Sequence, residues 1–336
     1  MTGPATAPKP ATLQIVFDDN RLLPALFGEH DRNLAQIEQR LGVSLHYRGN
    51  VVAISGPPEA ARMARDALER LYTDIRARQP AGPAEIDAIL RMAAGRPEDD
   101  GASGGNEPFI QTRRKRIVAR SPNQALYMRA IAESEMVFAN GPAGTGKTYL
   151  AVCAAAAALT AGKVDRIVLS RPAVEAGERL GFLPGDMREK VDPYMRPLYD
   201  ALYDALPAEQ VVKRLETGEI EIAPLAFMRG RTLSNAFIIL DEAQNTSPVQ
   251  MKMALTRIGE NSRMIITGDL TQVDLPIGMR SGLTDAVETL VGVPGIDFIQ
   301  FTQADVVRHD LVTRIIRAYE GKTASTDKPG GAGSGS

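Results

Sequence analysis

Residues 136–161 read MVFANGPAGTGKTYLAVCAAAAALTA, which is an apolar run, a glycine-rich octapeptide and an alanine-rich stretch in immediate succession. The octapeptide from Gly141 to Thr148 matches the phosphate-loop pattern G-x-x-x-x-G-K-T in full. The apolar run predicts a buried strand and the alanine-rich stretch predicts a helix, and this context makes the pattern specific. The segment therefore predicts the strand, loop and helix of a nucleoside-triphosphate-binding fold.

Each residue type in the loop has a physical reason to be there. Glycines let backbone N–H groups converge on phosphate oxygens, and the helix that follows presents its positive dipole end to the same anion. Lys147 neutralises the terminal phosphates, and the Thr148 hydroxyl is placed to ligate Mg²⁺, which prefers oxygen ligands. With ATP and Mg²⁺ as the expected cofactors, the predicted binding residues are Gly141, Pro142, Ala143, Gly144, Thr145, Gly146, Lys147 and Thr148.

A second apolar run, residues 237–240, ends in Asp241 and Glu242. A buried parallel strand delivers such residues to the carboxyl edge of its sheet, where α/β proteins bind ligands. We therefore assign Asp241 to holding the metal, directly or through water, and Glu242 to orienting the attacking water. Two acids at a solvated strand end would be the alternative, but the phosphate loop upstream favours the catalytic reading.

A third strand candidate, residues 264–267, is followed by Gln272, five positions after its last residue. A polar amide just beyond a core strand could sense the terminal phosphate, and a loop residue without a ligand is the alternative. Four strand candidates, at 136–140, 166–170, 237–240 and 264–267, alternate with helical stretches. This alternation predicts an α/β fold with a parallel sheet covered on both faces by helices.

The chain of 336 residues divides at a stretch that is poor in apolar side chains. Residues 95–108 are rich in Gly, Pro, Asp, Ser and Asn and predict a linker. Residues 12–94 alternate strand and helix signals around a Gly49-Asn50 turn, which predicts a small α+β domain, and residues 109–321 form the predicted ATPase domain. We expect residues 1–11 to be disordered and residues 322–336 to be a flexible tail.

Composition restricts the function classes. A formal net charge of -2 gives no general reason to bind polyanions, so basic surface must be local, as in the run at 113–116. The single cysteine, Cys153, excludes a disulfide framework within the chain and fits a reducing compartment. We find neither a signal-like segment nor an apolar stretch of bilayer length, and therefore expect a cytoplasmic protein with no membrane association.

Five segments together resemble the PhoH family: residues 141–148, 170–178, 180–186, 241–245 and 268–272. The resemblance spans most of residues 109–320. Such proteins are similar to superfamily 1 helicase motors, so the resemblance implies a RecA-like P-loop NTPase core with ATPase activity and a link to RNA. It also implies that Gln124 reads the adenine edge and that Gln272 is the phosphate sensor.

The resemblance implies a homo-oligomer as well, in the form of a hexameric ring, because the sequence holds only one motor lobe. A neighbouring subunit would then insert an arginine into the site, although each arginine could instead form surface salt bridges. The candidates are Arg229, Arg231, Arg280 and Arg308. Arg171 and Arg179 are predicted RNA contacts, but acids nearby and a single aromatic residue, Phe182, give little support for base stacking there.

The N-terminal domain resembles the KH-like domain that precedes PhoH motors, but Gly28-Glu29-His30-Asp31 stands where an RNA-clamping Gly-x-x-Gly is expected. RNA binding and protein docking are both open for this domain. For the whole chain, the leading hypothesis is a Mg²⁺-dependent ATPase or RNA helicase in rRNA processing, and the resemblance suggests the endoribonuclease YbeY as a partner. The alternative is an ATP-gated adaptor for a partner ribonuclease that never unwinds RNA, and a P-loop kinase is a weaker third.

Overall fold

The computed structural model describes residues 11–77, 82–94, 108–172 and 187–307, together with Val312 and Ile315. The predicted disordered start, most of the predicted linker and the predicted tail, at 1–10, 95–107 and 322–336, lie outside these residues. Within them, no helix combines the length and the apolar content that a membrane span requires. Two folded units follow one another along the described chain.

The first unit is a three-stranded antiparallel sheet covered by helices, with β1 in contact with β3 and β3 with β2. Its hairpin turns at Gly49, whose φ of 64° explains the glycine. Helix α4 adds Ile86 and Leu90 to the core of this unit. The elements are β1 (Ala11–Val16), α1 (Leu23–Phe27), α2 (Arg32–Leu41), β2 (Ser44–Arg48), β3 (Val51–Gly56), α3 (Pro58–Arg76) and α4 (Pro83–Ala94).

The Gly28-to-Asp31 segment forms the short connection between α1 and α2. Its last two residues, His30 and Asp31, adopt left-handed backbone angles with φ of 54° and 57°. Glu29 and Asp31 are both exposed. The connection therefore presents two carboxylates to solvent, which disfavours contact with a phosphate backbone.

The second unit opens with a small antiparallel hairpin and continues as alternating helices and parallel strands. Its elements are β4 (Phe109–Gln111), β5 (Arg116–Val118), α5 (Pro122–Glu133), β6 (Met136–Asn140), α6 (Lys147–Thr160), β7 (Arg166–Arg171), α7 (Met187–Ala205), α8 (Ala208–Glu216), β8 (Ile220–Pro224), β9 (Ala236–Leu240), α9 (Pro248–Leu255), β10 (Arg263–Gly268), α10 (Gly282–Leu290) and β11 (Ile296–Gln300).

The six strands of the large sheet are parallel and lie in the order β11-β6-β10-β9-β7-β8. The four predicted strands form its centre, and the two edge strands, β8 and β11, were not predicted. Each face of the sheet packs into its own apolar core, one with α5, α6 and α7 and the other with α9 and α10. The predicted α/β class with a RecA-like parallel sheet is confirmed.

Helix α6 passes through the larger of these two cores. Its alanines let it lie close to the sheet, and Ala151, Ala155 and Ala156 are fully buried. Cys153 is also fully buried and is a free thiol. The helix that begins at the phosphate loop is therefore held on its sides by apolar packing, which fixes the position of its first turn.

Candidate functional site

The phosphate loop lies at the carboxyl end of β6 and is fixed at three points. The Gly141 N–H donates to the Gly268 carbonyl at 3.1 Å, and the Val307 N–H donates to the Gly144 carbonyl at 2.9 Å. Gly141 has a φ of 145°, and a Cβ there would lie 2.5 Å from the Phe301 carbonyl oxygen. Only glycine allows the loop to pass this close to the neighbouring backbone.

We expect Gly141→Ala to lower the free energy of unfolding by at least about 2 kcal/mol, because it combines a disfavoured φ with a steric overlap. Urea unfolding followed by circular dichroism measures the change. Gly162→Ala is the matched control, since Gly162 has a φ of 67° but no atom within 4 Å of its Cβ position. That control should cost about 1 kcal/mol, and equal losses in the two variants would contradict the overlap with Phe301.

Lys147 is buried and lies inside the loop. Its Nζ donates hydrogen bonds to the carbonyl oxygens of Gly141 at 2.6 Å and Pro142 at 2.9 Å. Burial lowers the pKa of the Lys147 ammonium, and the carboxylates of the site act in the opposite direction. The cation is thus held among neutral carbonyls, which it can exchange for the stronger charge-assisted bonds that phosphate oxygens offer.

The predicted metal ligands lie side by side. The Thr148 hydroxyl donates to Asp241 Oδ1 at 2.6 Å, and the Thr267 hydroxyl donates to the same oxygen at 2.7 Å. Asp241 is only 3% exposed. A hydroxyl and a carboxylate this close can share one cation, and both are the oxygen donors that Mg²⁺ takes, so the residues present fit the expected ion.

Sequence reasoning did not find Thr267. It is the last side chain of β10 before Gly268, and it reaches Asp241 because β10 lies between β6 and β9. The available signal was a polar residue at the end of an apolar run, where the side chain points to the ligand edge of the sheet. The structure therefore adds a second hydroxyl that orients the carboxylate predicted to hold the metal.

Glu242 follows Asp241 with a left-handed backbone angle, φ 52°, which turns its side chain away from the sheet. Gln244 Nε2 donates to Glu242 Oε2 at 2.6 Å, and Arg171 Nη2 lies 3.4 Å from Oε1. The Glu242 side chain retains 37% exposure. A carboxylate that is oriented by two donors and open to solvent is suited to hold a water molecule.

Gln244 connects this carboxylate to the predicted phosphate sensor, and sequence reasoning did not find it. The Nε2 of this buried amide also donates to the Gln272 carbonyl at 3.2 Å, while its Oε1 accepts from the Asp269 N–H at 3.1 Å. The Gln272 side chain is exposed and donates to Asp269 Oδ2 at 2.7 Å. Glu242 and Gln272 are therefore linked through one side chain.

Gln124 lies against the phosphate loop. Its Nε2 donates to the Thr145 carbonyl at 2.9 Å, and its Oε1 accepts from the Arg120 N–H at 2.8 Å. Gln124 is 4% exposed. The structure thus gives this side chain a role in fixing the loop, and its recognition of adenine stays a prediction.

A cleft of about 520 Å³ opens beside the predicted metal ligands, between the first turn of α6 and α7. Its walls include Thr148, Tyr149, Arg171, Asp204, Asp241 and Glu242. The cleft places Glu242 and Thr148 along one open space, which is wide enough to admit water.

The four arginines predicted to reach the nucleotide site of a neighbouring subunit differ in their surroundings. Arg231 Nη1 pairs with Glu221 of the edge strand at 2.6 Å, and Arg280 pairs with two acids of α10. Arg229 is exposed and forms no ion pair with any residue that the structure describes. Arg308 lies outside the described residues. Among the three that are described, Arg229 has the guanidinium that is free to reach another subunit.

Arg171 ends β7 and lies beside Asp241 and Glu242. Its Nη1 lies 4.0 Å from Asp241 Oδ2 and donates to the Tyr194 carbonyl of α7 at 2.9 Å. With the contact to Glu242, the guanidinium partly neutralises the pair of carboxylates. Arg179, the other predicted RNA contact, lies outside the described residues.

We expect Arg171→Ala to lower the Mg²⁺ concentration at half-maximal ATP binding by up to about fivefold, because a cation that competes for the two acids is removed. Titration of a fluorescent ATP analogue with MgCl₂ measures the midpoint. Arg166→Ala is the control, since Arg166 is an exposed arginine at the other end of the same strand. An unchanged or higher midpoint in Arg171→Ala would contradict the competition.

The candidate site lies in the part of the chain that is similar to known proteins. A family model described as PhoH-like protein matches residues 116–320. The chain is 47% identical over 309 residues to a PhoH-like protein of Mycobacterium tuberculosis H37Rv, which covers 92% of this chain and 87% of that protein. It is 48% identical over 297 residues to a PhoH-like protein of Bacillus subtilis, with 88% and 93% covered. Protein PhoH of Escherichia coli K12 is 41% identical over 275 residues, with 80% and 75% covered.

Proposed function

Since the chain belongs to the PhoH family, we propose that it is a Mg²⁺-dependent ATPase that acts in RNA metabolism. Family and fold together indicate a nucleotide-binding protein. One observation supports the hydrolytic part of the proposal. The hydroxyls of Thr148 and Thr267 both donate to the same oxygen of Asp241, and Glu242 is the next residue in the chain. This is the arrangement that phosphoryl transfer to water requires.

Each side chain has a defined task in this proposal. Backbone N–H groups of the loop and the first turn of α6 bind the phosphates, and Lys147 supplies a positive charge there. Thr148 and Asp241 hold the metal, which when bound neutralises charge on the triphosphate. Glu242, oriented by Gln244, holds the attacking water in line. Gln272 would register whether the terminal phosphate is present.

The RNA and assembly parts of the proposal rest on family resemblance and on one structural fact. The described residues contain a single six-stranded parallel sheet, and we propose that a second subunit closes the nucleotide site from the other side. We propose a homo-oligomeric ring, with hexamer as the expected size, in the cytoplasm. The endoribonuclease YbeY is the proposed protein partner.

The test is ATP turnover by the wild-type protein with and without single-stranded RNA. We expect Mg²⁺-dependent turnover that RNA increases and that Lys147→Ala abolishes. A duplex-unwinding assay with ATP and with a non-hydrolysable analogue then separates a helicase from an ATP-gated adaptor. Turnover that RNA does not change, without strand separation, would support the adaptor, and the absence of any ATP binding by folded protein would overturn the whole proposal.

A further inference from the structure

The hairpin of β4 and β5 carries a surface that the nucleotide site does not use. Ile110 and Ile117 of the hairpin are buried in the core, so the residues on the opposite side face outwards. We define the hairpin face as Phe109, Gln111, Arg113 and Arg116, all of which are exposed. This face therefore combines an exposed aromatic ring with exposed arginines.

Phe109 and Arg116 form a flat pair on this face. The Arg116 guanidinium carbon lies 4.2 Å from the centroid of the Phe109 ring, and the ring residue still has 51% of its surface exposed. Aromatic rings and arginine guanidinium planes are the two side-chain surfaces on which unpaired nucleobases stack. The pair therefore offers a stacking platform that does not depend on base sequence.

The turn of the hairpin is rigid and positively charged. The buried Thr112 hydroxyl accepts hydrogen bonds from the N–H groups of Arg114 at 3.3 Å and Lys115 at 3.1 Å, and donates to the Lys115 carbonyl at 2.9 Å. Arg113 extends from this turn into solvent. Neither Arg113 nor Arg116 has an ion-pair partner among the described residues, so their charges are available to an external anion.

We propose that the hairpin face binds single-stranded RNA, an inference that rests on the function proposed above and names where its nucleic acid docks. Stacking on the Phe109 and Arg116 pair combined with phosphate contacts from Arg113 is the usual mode of sequence-tolerant single-strand binding. An acidic protein surface would use the arginines but has no use for the exposed ring.

The same turn is connected to the nucleotide site. Lys115 forms an ion pair with Asp204 of α7, and its Nζ lies 5.7 Å from the centroid of the Tyr149 ring. The Tyr149 hydroxyl donates to Asp204 Oδ2 at 2.8 Å. Tyr149 directly follows Thr148, the metal-binding hydroxyl. One carboxylate therefore connects the proposed RNA surface to the first turn of α6, and this connection provides a path by which RNA could raise ATP turnover.

The binding test is fluorescence anisotropy with a labelled 20-nucleotide oligo(U) RNA at several salt concentrations, without ATP. We expect Phe109→Ala to weaken binding by roughly 5- to 150-fold, the range for loss of one stacked base. Arg113→Gln should reduce the slope of log affinity against log salt by about 0.7, the value for one lost phosphate contact. Arg116→Gln should weaken binding as Phe109→Ala does, because it removes the other half of the stacking pair.

Matched controls lie in the same domain. Leu126→Ala removes a side chain with 50% exposure, close to that of Phe109, and Arg129→Gln removes an exposed arginine of α5. Both controls should bind RNA as the wild type does. Wild-type affinity and salt slope in all three hairpin variants would overturn the proposal and would assign the face to a protein partner instead. Because no ATP is present, this result is independent of whether the protein hydrolyses ATP.

The connection is tested by Tyr149→Phe, which removes only the hydroxyl that reaches Asp204. We expect its RNA affinity to equal that of the wild type, while the ratio of RNA-stimulated to basal ATP turnover falls towards 1. Lys115→Met removes the other partner of Asp204 and should lower this ratio in the same way. Wild-type stimulation in both variants would overturn the connection, and equal melting temperatures confirm that the variants are folded.

A wild-type protein that binds RNA but hydrolyses no ATP would instead contradict the proposed ATPase.

Discussion

Glu242→Gln is expected to slow ATP hydrolysis by about 10² to 10⁴-fold, the range for loss of a residue that handles a proton or orients a nucleophile. ATP and Mg²⁺ should still bind, because Lys147, Thr148 and Asp241 are unchanged. The exchange is nearly isosteric, so the contact with Gln244 can persist after a rotation of the amide. The expected result is therefore a protein that binds ATP and retains it.

Single-turnover hydrolysis and equilibrium ATP binding measure these two properties separately. Asp200→Asn is the matched control, since it removes a carboxylate from the same cleft without touching Glu242 or Asp241. Its turnover should stay within about twofold of the wild type. Hydrolysis at the wild-type rate by Glu242→Gln would show that another group orients the water, and loss of ATP binding would show that Glu242 acts on the ground state.

An arginine from a neighbouring subunit is worth about 10³ to 10⁵ in turnover where motors of this kind use one. We expect one of the variants Arg229→Ala, Arg231→Ala, Arg280→Ala and Arg308→Ala to lose activity on this scale while its ATP affinity is retained. Arg229 is the structurally preferred candidate, because Arg231 and Arg280 are already paired within the chain. Loss of those pairs would affect stability more than turnover.

Mixing inactive variants identifies the arginine. The arginine variant binds ATP but lacks the donor, whereas Lys147→Ala supplies the donor but lacks the ATP site. Mixed assemblies then contain complete sites, and turnover should recover. A mixture of Lys147→Ala and Glu242→Gln is the control. Each of these substitutions damages the nucleotide site of the subunit that carries it, so no complete site can form in the mixture. No recovery with any of the four variants, or full turnover by a strict monomer, would contradict an arginine in trans.

The sequence predicted the centre of the large sheet because its central strands are continuous apolar runs. The edge strands β8 and β11 were missed because they are only partly buried and interrupt their apolar residues with polar ones, as in Ile220–Pro224 and Ile296–Gln300. Short alternating segments of this kind resemble many loops. Local pattern is informative where a strand is buried on both faces and much less so at an edge.

The candidate site shows the same limit. Lys147, Thr148, Asp241 and Glu242 belong to contiguous motifs, so their residue types and spacing were sufficient to predict them. Thr267 joins Asp241 only because β10 lies between β6 and β9, and the spatial order of parallel strands is not encoded in a local pattern. Arg171 likewise gains its contact to Glu242 from tertiary structure. Gln244 lies only two residues from Glu242, but its contacts to Asp269 and Gln272 depend on the fold.

The buried thiol of α6 has an experimental consequence. Burial raises the pKa of Cys153 to about 12, so almost none of it is thiolate at neutral pH, and alkylating reagents and oxidants react with the thiolate. Modification therefore requires the helix to separate from the sheet. The rate of alkylation of the natural protein, which has no second cysteine, reports the opening of its nucleotide-binding core, and slower alkylation in the presence of ATP and Mg²⁺ would measure how far the ligand holds that core closed.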